Sequence, residues 1–145
     1  MAWYPVLLFL LLPSTSALTT TFHLSGNITC SISRSFFYQF EVYEQDLMYA
    51  ESLSLWYSTS FRLNDQLASK TTAAYSSPWP YYFVVTENGD GPGDKRYELM
   101  YKVSHNCCKS GTRLVAAYFY PGTSPVVDGY VFRDFDLDIT GTGCP

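Results

Sequence analysis

The chain has 145 residues, with 9 Lys and Arg against 13 Asp and Glu, so its formal net charge is −4 at pH 7. No run of like charge occurs along it. Proteins that bind nucleic acid neutralise its phosphates with a basic stripe, so composition and charge argue against a nucleic-acid partner.

The N-terminal segment contains an apolar run over residues 6–12. This run is too short to span a bilayer, and the small residues after it place Thr15 and Ala17 at the spacing that a signal peptidase recognises. The pattern predicts a cleaved secretory signal over residues 1–17 and a secreted, extracellular product folded as a single domain over residues 18–145. The alternative is an N-terminal core strand. No run of about 18 apolar residues follows Ala17, so we expect no membrane span.

The rest of the chain is rich in Tyr, Phe, Val and Thr, and apolar residues alternate with polar ones. This composition and period are typical of β-strands with one buried face. Predicted strands cover residues 22–32, 36–44, 53–63, 67–74, 81–86, 97–107, 114–120 and 130–139. Residues 44–46 are expected to break the pattern of the second strand, and turn signals predict loops over residues 76–80, 87–95 and 121–125. Seven or eight short strands at this spacing predict an all-β, immunoglobulin-like sandwich of two sheets.

All four cysteines, Cys30, Cys107, Cys108 and Cys144, lie beyond the predicted cleavage point. An even number in an exported chain predicts two disulfide bonds, with free buried thiols as the alternative. A zinc site is disfavoured because a tetrahedral site needs clustered Cys and His ligands at short spacing, and the sequence has only two histidines, His23 and His105. Vicinal cysteines do not easily bond to each other, since that bridge needs a strained geometry. We therefore expect separate partners for Cys107 and Cys108, and we predict the bonds Cys30–Cys107 and Cys108–Cys144.

Four motifs occur in one order along the chain. They are Gly-x-x-x-Cys at residues 26–30, Phe-Glu-Val-Tyr-Glu-Gln-Asp at residues 40–46, a strand over residues 97–107 that ends in His-Asn-Cys, and a strand over residues 130–139 that ends in Phe-Asp-Leu-Asp-Ile. Together they resemble the nematode transthyretin-like proteins over nearly the whole mature chain. The resemblance implies a transthyretin-like β-sandwich exported by a roundworm. It further implies a role such as bridging phosphatidylserine on dying cells to a receptor, signalling, or carriage of apolar ligands.

Asn27, Ile28 and Thr29 form an acceptor for N-glycosylation. Alternation places Asn27 on the strand face opposite Cys30, which predicts exposure to solvent. We expect this asparagine to be glycosylated, and the alternative is an unmodified surface residue.

Two groups of oxygen-bearing side chains invite a calcium interpretation, since hard cations prefer such ligands. The groups are Asp134, Asp136 and Asp138, and Asn88, Asp90 and Asp94. The first repeats with a period of two, which favours a solvated strand face. The second lacks the Glu that closes an EF-hand loop, which favours a plain turn. We expect no metal and no cofactor.

His23 and His105 are the two histidines, and His105 shares a predicted strand face with Cys107. A Cys-His pair can form a nucleophile, but a Cys107 held in a disulfide has no thiolate. The alternative function is a secreted hydrolase that uses His23 or His105, by analogy with the transthyretin-related hydroxyisourate hydrolases. Their Tyr-Arg-Gly-Ser ending is absent, and we expect no enzyme.

Aromatic residues are dense around Pro78 and Pro80. Because aromatic side chains on loops form contact surface at low entropic cost, Trp79 with Tyr81 or Tyr82 is a candidate patch for a partner. Packing of these rings in the core is the alternative. The sequence therefore predicts an extracellular binding protein whose ligand is a protein receptor, a lipid head group or a small apolar molecule. A parasite-released, immune-modulating decoy is a further alternative.

Overall fold

Two four-stranded β-sheets form the fold in the computed structural model, which describes residues 18–45, 64–88, 96–109 and 113–145. In chain order the strands are β1 (Thr19–Thr29), β2 (Phe36–Gln45), β3 (Asn64–Ala74), β4 (Trp79–Asn88), β5 (Arg96–His105), β6 (Val115–Pro125), β7 (Gly129–Asp134) and β8 (Leu137–Asp138). The first sheet has the order β4-β1-β7, with β8 also paired to β1, and the second has the order β3-β2-β5-β6. The predicted all-β sandwich of two sheets is confirmed.

β1 is the central strand of the first sheet, antiparallel to β4 and parallel to β7 and β8. Its predicted alternation is confirmed, because Phe22, Leu24 and Ile28 are buried whereas His23 lies on the outer side. The predicted strand over residues 22–32 is wrong at its end, where Ile32 would be its last inward residue. That side chain is 41 % exposed, since β1 ends at Thr29 and the chain then turns away.

Aromatic side chains from both sheets meet in the core. Phe40 of β2 makes edge contacts with Tyr81 and Phe83 of β4, with ring centroids 4.8 and 5.0 Å apart. It also contacts Tyr101 of β5 at 5.2 Å. Such pairs contribute about 0.5–1.5 kcal/mol each beyond the area they bury. This cluster therefore fixes the way in which the two sheets face each other.

Two segments that were predicted as loops belong to edge strands instead. Residues 121–125 form the second half of β6, and Pro80 lies within β4. Both strands are at the edge of their sheet, where a proline need not donate a hydrogen bond on the unpaired side. The register between β5 and β6 shifts between Leu99 and Tyr101, so β6 accommodates one extra residue in a bulge.

The last predicted strand, residues 130–139, is divided into β7 and β8. The division occurs at Phe135, whose main-chain N–H donates to the carbonyl of Ser25 at 2.9 Å. β7 pairs with β1 up to Ser25, and β8 pairs with it from Ile28 onward. Gly26 lies between these two pairings, with φ of +149°.

The interruption expected at residues 44–46 is corrected for the two residues that the structure describes. β2 continues through Gln45, and both Glu44 and Gln45 are buried. The Gln45 side-chain amide donates to the sulfur of Met100 on β5 at 3.3 Å, so this polar residue has a partner inside the sheet. The predicted signal over residues 1–17 and the predicted strand over residues 53–63 lie outside the described residues.

Two disulfide bonds close one end of the sandwich, and they join the cysteines that were paired from the sequence. Cys30, directly after β1, is bonded to Cys107, shortly after β5, so this bond connects the two sheets. Cys108 is bonded to Cys144 near the C-terminus. Within the described ranges, no helix has the length and apolar character needed to cross a membrane.

Candidate binding surface

The outer side of the first sheet carries a group of exposed apolar side chains. Tyr82 and Val84 of β4 and Tyr130 and Phe132 of β7 are between 52 and 72 % exposed. The strand register arranges this surface in three rows across β1, namely Thr86, Thr21 and Tyr130, then Val84, His23 and Phe132, then Tyr82, Ser25 and Asp134. His23, Tyr82, Val84, Tyr130 and Phe132 are called the aromatic face below.

His23 lies at the centre of the aromatic face and contacts the rings around it. Its imidazole stacks on Phe132, with 4.7 Å between ring centroids and 19° between ring planes. The centroid of Tyr130 is 5.6 Å away. Nδ1 of His23 shares a hydrogen bond of 2.6 Å with the hydroxyl of Tyr82. Because these contacts join three neighbouring strands, the rings have defined orientations without a partner.

Carboxylates continue the same surface beyond the aromatic face. Asp134 follows Phe132 at an interval of two residues, and Asp136 and Asp138 follow at the same interval, all three exposed. The hydroxyl of Ser25 donates to Asp134 at 3.4 Å. Among the described residues that point outward from β1, β4, β7 and β8, none is a Lys or Arg. As far as the described residues define it, the surface therefore has an aromatic part and an acidic part without a Lys or Arg to balance the acidic one.

These aspartates are spread along the strand direction and bond separately. Asp138 accepts a hydrogen bond from the Thr140 main-chain N–H at 2.9 Å. Hydrogen bonds from the Thr140 side chain and main chain hold the pKa of Asp138 below its usual range. In the part of the chain that the structure describes, no three His, Cys, Asp or Glu side chains are grouped as a metal site would need. Of the second candidate calcium group, Asn88 ends β4, whereas Asp90 and Asp94 lie outside the described residues.

The structure separates the three residues of the predicted aromatic patch. Tyr82 is 56 % exposed and belongs to the aromatic face, whereas Trp79 is half-buried against the core. Including Tyr81 in a partner patch is wrong, because this side chain points inward and its hydroxyl donates to the carbonyl of Phe135. Burial raises the pKa of Tyr81, and neighbouring Tyr101 adds to the effect. Successive strand residues face opposite sides of a sheet, so Tyr81 and Tyr82 cannot share one surface.

Asn27 is on the outer side of β1, one row beyond Ser25 and Asp134. Its side-chain nitrogen and its main-chain N–H both donate to Oδ1 of Asp136, at 3.1 and 2.7 Å. The side chain is partly exposed. A glycan on Asn27 would therefore project from the acidic part of the surface, and its presence stays a prediction.

The two histidines lie in different environments and do not form one site. His105 is fully buried at the end of β5, and its Nδ1 accepts a hydrogen bond from the Cys107 main-chain N–H at 3.1 Å. Burial lowers the pKa of His105, and the nearby Thr142 main chain offsets part of that effect. The sulfur of Cys107 is bonded to Cys30, so it is not available as the nucleophile of a Cys-His pair. His23, by contrast, is on the outer surface of the other sheet.

The second sheet carries a largely buried ion pair on its outer side. Lys102 Nζ lies 2.7 Å from Glu41 Oε2, and their side chains are 29 % and 9 % exposed. Burial alone would raise the pKa of Glu41, but hydrogen bonds from Lys102 and Tyr43 together with the charge of Lys102 outweigh it and lower that pKa. The same contact raises the pKa of Lys102. Glu41 lies on the outer side of β2, where Lys102 and Tyr43 contact it.

Surface depressions occur at the disulfide end of the sandwich. One of about 460 Å³ is bounded by Ile32, Lys109 and the C-terminal residues. Another of about 360 Å³ is bounded by Phe37, Tyr75 and Asn106 among others. Both are open to solvent, and neither lies between the two sheets, where an apolar ligand carried inside the sandwich would have to be enclosed.

Tyr130 and Phe132 are the functional candidates that the sequence analysis missed. The sequence contains a pattern that could have identified them, because Tyr130 and Phe132 are separated by even numbers of residues from Asp134, which was predicted to point outward. Neighbouring strands cannot be identified from one sequence, however. The juxtaposition with His23 and Tyr82 arises only when β7 and β4 pair with β1 on its two sides.

Fold and surface together define a class, a disulfide-bonded β-sandwich whose first sheet carries an exposed aromatic face. Comparison with family models, with curated proteins and with solved structures finds no match to this chain. The functional argument therefore rests on the residues of this chain.

Proposed function

We propose that the chain is a secreted, non-enzymatic binding domain that contacts an extracellular partner through the aromatic face. Membership of the transthyretin-like proteins of nematodes is part of the same proposal. Two disulfide bonds support an extracellular location, because such bonds form and persist in oxidising compartments. The apolar N-terminal run, interpreted as a secretory signal, supports it as well.

The observation that carries the proposal is the exposure of four large apolar side chains on one regular sheet. Monomeric proteins rarely leave such side chains grouped on their surface unless the group contacts a partner. The rings belong to strands and contact His23, so binding would order few additional torsion angles. Aromatic residues such as those of this preorganised surface are also typical of interface hot spots.

The hydrolase alternative has less support from the same contacts. His23 contacts aromatic rings and the hydroxyl of Tyr82, and catalysis would need a carboxylate or nucleophile at that distance. His105 is buried and accepts a main-chain hydrogen bond through Nδ1. An immune-modulating decoy would use the aromatic face in the same way and would differ only in the organism that supplies the partner.

The proposal is tested by measuring retention of labelled protein on tissue surfaces of the source organism and of candidate hosts. The double variant Tyr130→Ser/Phe132→Ser removes two rings from the aromatic face. Its matched control is Phe37→Ser/Tyr120→Ser, which removes one Phe and one Tyr that are 60 % and 58 % exposed on the second sheet. We expect retention to fall at least about tenfold in the first variant only. Equal losses in both variants, or no retention of the wild type, would refute the proposal.

A further inference from the structure

We infer that the partner presents an extended, arginine-rich protein segment, which lies along β7 with its side chains on Tyr130, Phe132 and Asp134. This inference rests on the proposed function and adds the chemistry of the partner. Its basis is the combination, on one strand, of two exposed rings with a carboxylate, on a surface whose described residues include no cation.

The spacing along β7 matches that of an extended peptide. Tyr130, Phe132 and Asp134 follow each other at intervals of two residues on the outer side of the strand, about 7 Å apart. Alternate side chains of an extended segment repeat at the same distance. A segment with a cationic residue at every second position can therefore place successive side chains over Tyr130, Phe132 and Asp134.

Charge complementarity selects a cationic partner over a neutral one or a second copy of this chain. Asp134, Asp136 and Asp138 are exposed along the same surface, and no described Lys or Arg points outward from the first sheet. Face-to-face pairing of two copies would bring these acidic parts together, and like charges at close distance disfavour association. A segment rich in cations gains from the same carboxylates.

Arginine fits this surface better than lysine does. A guanidinium group is planar, stacks on aromatic faces and bonds a carboxylate through two N–H groups, whereas an ammonium group is a more strongly hydrated point charge. The stacking of His23 on Phe132 holds the Phe132 ring against the sheet. A guanidinium can then stack at the side of Phe132 left open to solvent while its neighbour in the segment pairs with Asp134.

The test uses acetylated peptides of alternating Arg and Ser, Lys and Ser, or citrulline and Ser, titrated into the full secreted chain by calorimetry. Citrulline keeps the shape of Arg and removes its charge. We expect the Arg peptide to bind at least about tenfold more tightly than the citrulline peptide and measurably more tightly than the Lys peptide. Binding should weaken as the ionic strength rises.

Two surface variants and one control assign this binding to the proposed residues. Tyr130→Ser/Phe132→Ser should lower the affinity for the Arg peptide about tenfold, because two cation–π contacts are lost. Asp134→Asn should weaken it severalfold and reduce its salt dependence. The control Phe37→Ser/Tyr120→Ser should bind as the wild type does. Circular dichroism and urea unfolding verify that each variant is folded.

Several outcomes overturn the inference. They are equal binding of the Arg and citrulline peptides, wild-type affinity in Tyr130→Ser/Phe132→Ser, and binding to phosphatidylcholine vesicles in place of the Arg peptide. A dimer in sedimentation that Tyr130→Ser/Phe132→Ser abolishes would assign the surface to a second copy and would also overturn it. If tissue retention depends on the aromatic face while no Arg peptide binds, the proposed function stands and the arginine-rich partner is refuted.

Discussion

Replacing Gly26 by Ala tests how β1 is joined to β7 and β8 at the division between them. A Cβ at this position would lie 2.8 Å from the carbonyl carbon of Phe135, and closer still to its oxygen. That oxygen accepts the hydrogen bond from the buried Tyr81 hydroxyl. The substitution would therefore force the Phe135 main chain away from β1 and strain the contact with Tyr81.

The chain offers a matched control at Gly129. Gly129 has the same φ of +149°, but a Cβ there would meet no atom within 4 Å. Both substitutions carry the cost of a side chain in a sparsely populated backbone region, about 1–3 kcal/mol. Gly26→Ala adds about 1–3 kcal/mol for overpacking and about 1 kcal/mol for a weakened hydrogen bond at Phe135. The difference between the two variants should therefore be about 2–4 kcal/mol.

Equilibrium urea unfolding, followed by tryptophan fluorescence, measures this difference as a shift in midpoint at constant slope. If Gly26→Ala fails to fold, the comparison stays open through Gly129→Ala, which must still fold and give a measurable unfolding midpoint. Equal destabilisation of Gly26→Ala and Gly129→Ala would refute the close approach of the Phe135 carbonyl to β1.

Three further predictions concern stability. Cys108→Ser/Cys144→Ser should lower the free energy of unfolding by about 4 kcal/mol in urea titrations, because the bond closes a loop with a sequence separation of 36 residues. Lys102→Met should lower the free energy of unfolding by about 2 kcal/mol near neutral pH, because it leaves the Glu41 carboxylate unpaired. Adding Glu41→Gln to this variant should restore most of the lost stability. The pKa of Glu41 is lowered on folding, so the stabilisation by the ion pair is present above about pH 4 and is lost as the pH falls through the folded-state pKa. The urea midpoints of Lys102→Met and the wild type should therefore converge at that low pH. Burial lowers the pKa of His105, so the free energy of unfolding should fall as the pH decreases below about 6.5. His105→Asn should make this dependence of stability on pH weaker in acid titrations followed by circular dichroism. An unchanged pH dependence of stability in His105→Asn would contradict the argument for His105. A Lys102→Met variant as stable as the wild type would contradict the argument for the ion pair, and a Cys108→Ser/Cys144→Ser variant with the wild-type midpoint would contradict the argument for the disulfide bond.

Patterns within one strand were predictable from the sequence. The period of two placed Phe22 and Leu24 inward and His23 outward, because the pleat alone decides this. The same parity separates Tyr81, which is inward with Phe83, from Tyr82.

Features that depend on strand partners were not predictable. Pro80 and Pro121 were assigned to loops because a sequence does not reveal which strands form the edges of a sheet, where proline is tolerated. The aromatic face was missed for the same reason. Tyr130 and Phe132 are far from His23 in sequence, and only the parallel pairing of β7 with β1 brings them together.

The adjacent cysteines have a mechanical consequence for the binding that we propose for the first sheet. Cys107 and Cys108 hold, through one dipeptide, both the end of β1 and the segment that follows β8. A partner that pulls on the outer surface of the first sheet loads β1 directly. Tension along that strand passes through covalent bonds into β5 of the second sheet, so the packed interface between the sheets is relieved of much of the load. The two disulfide bonds therefore keep the end of β1 attached to the second sheet when the first sheet is under load.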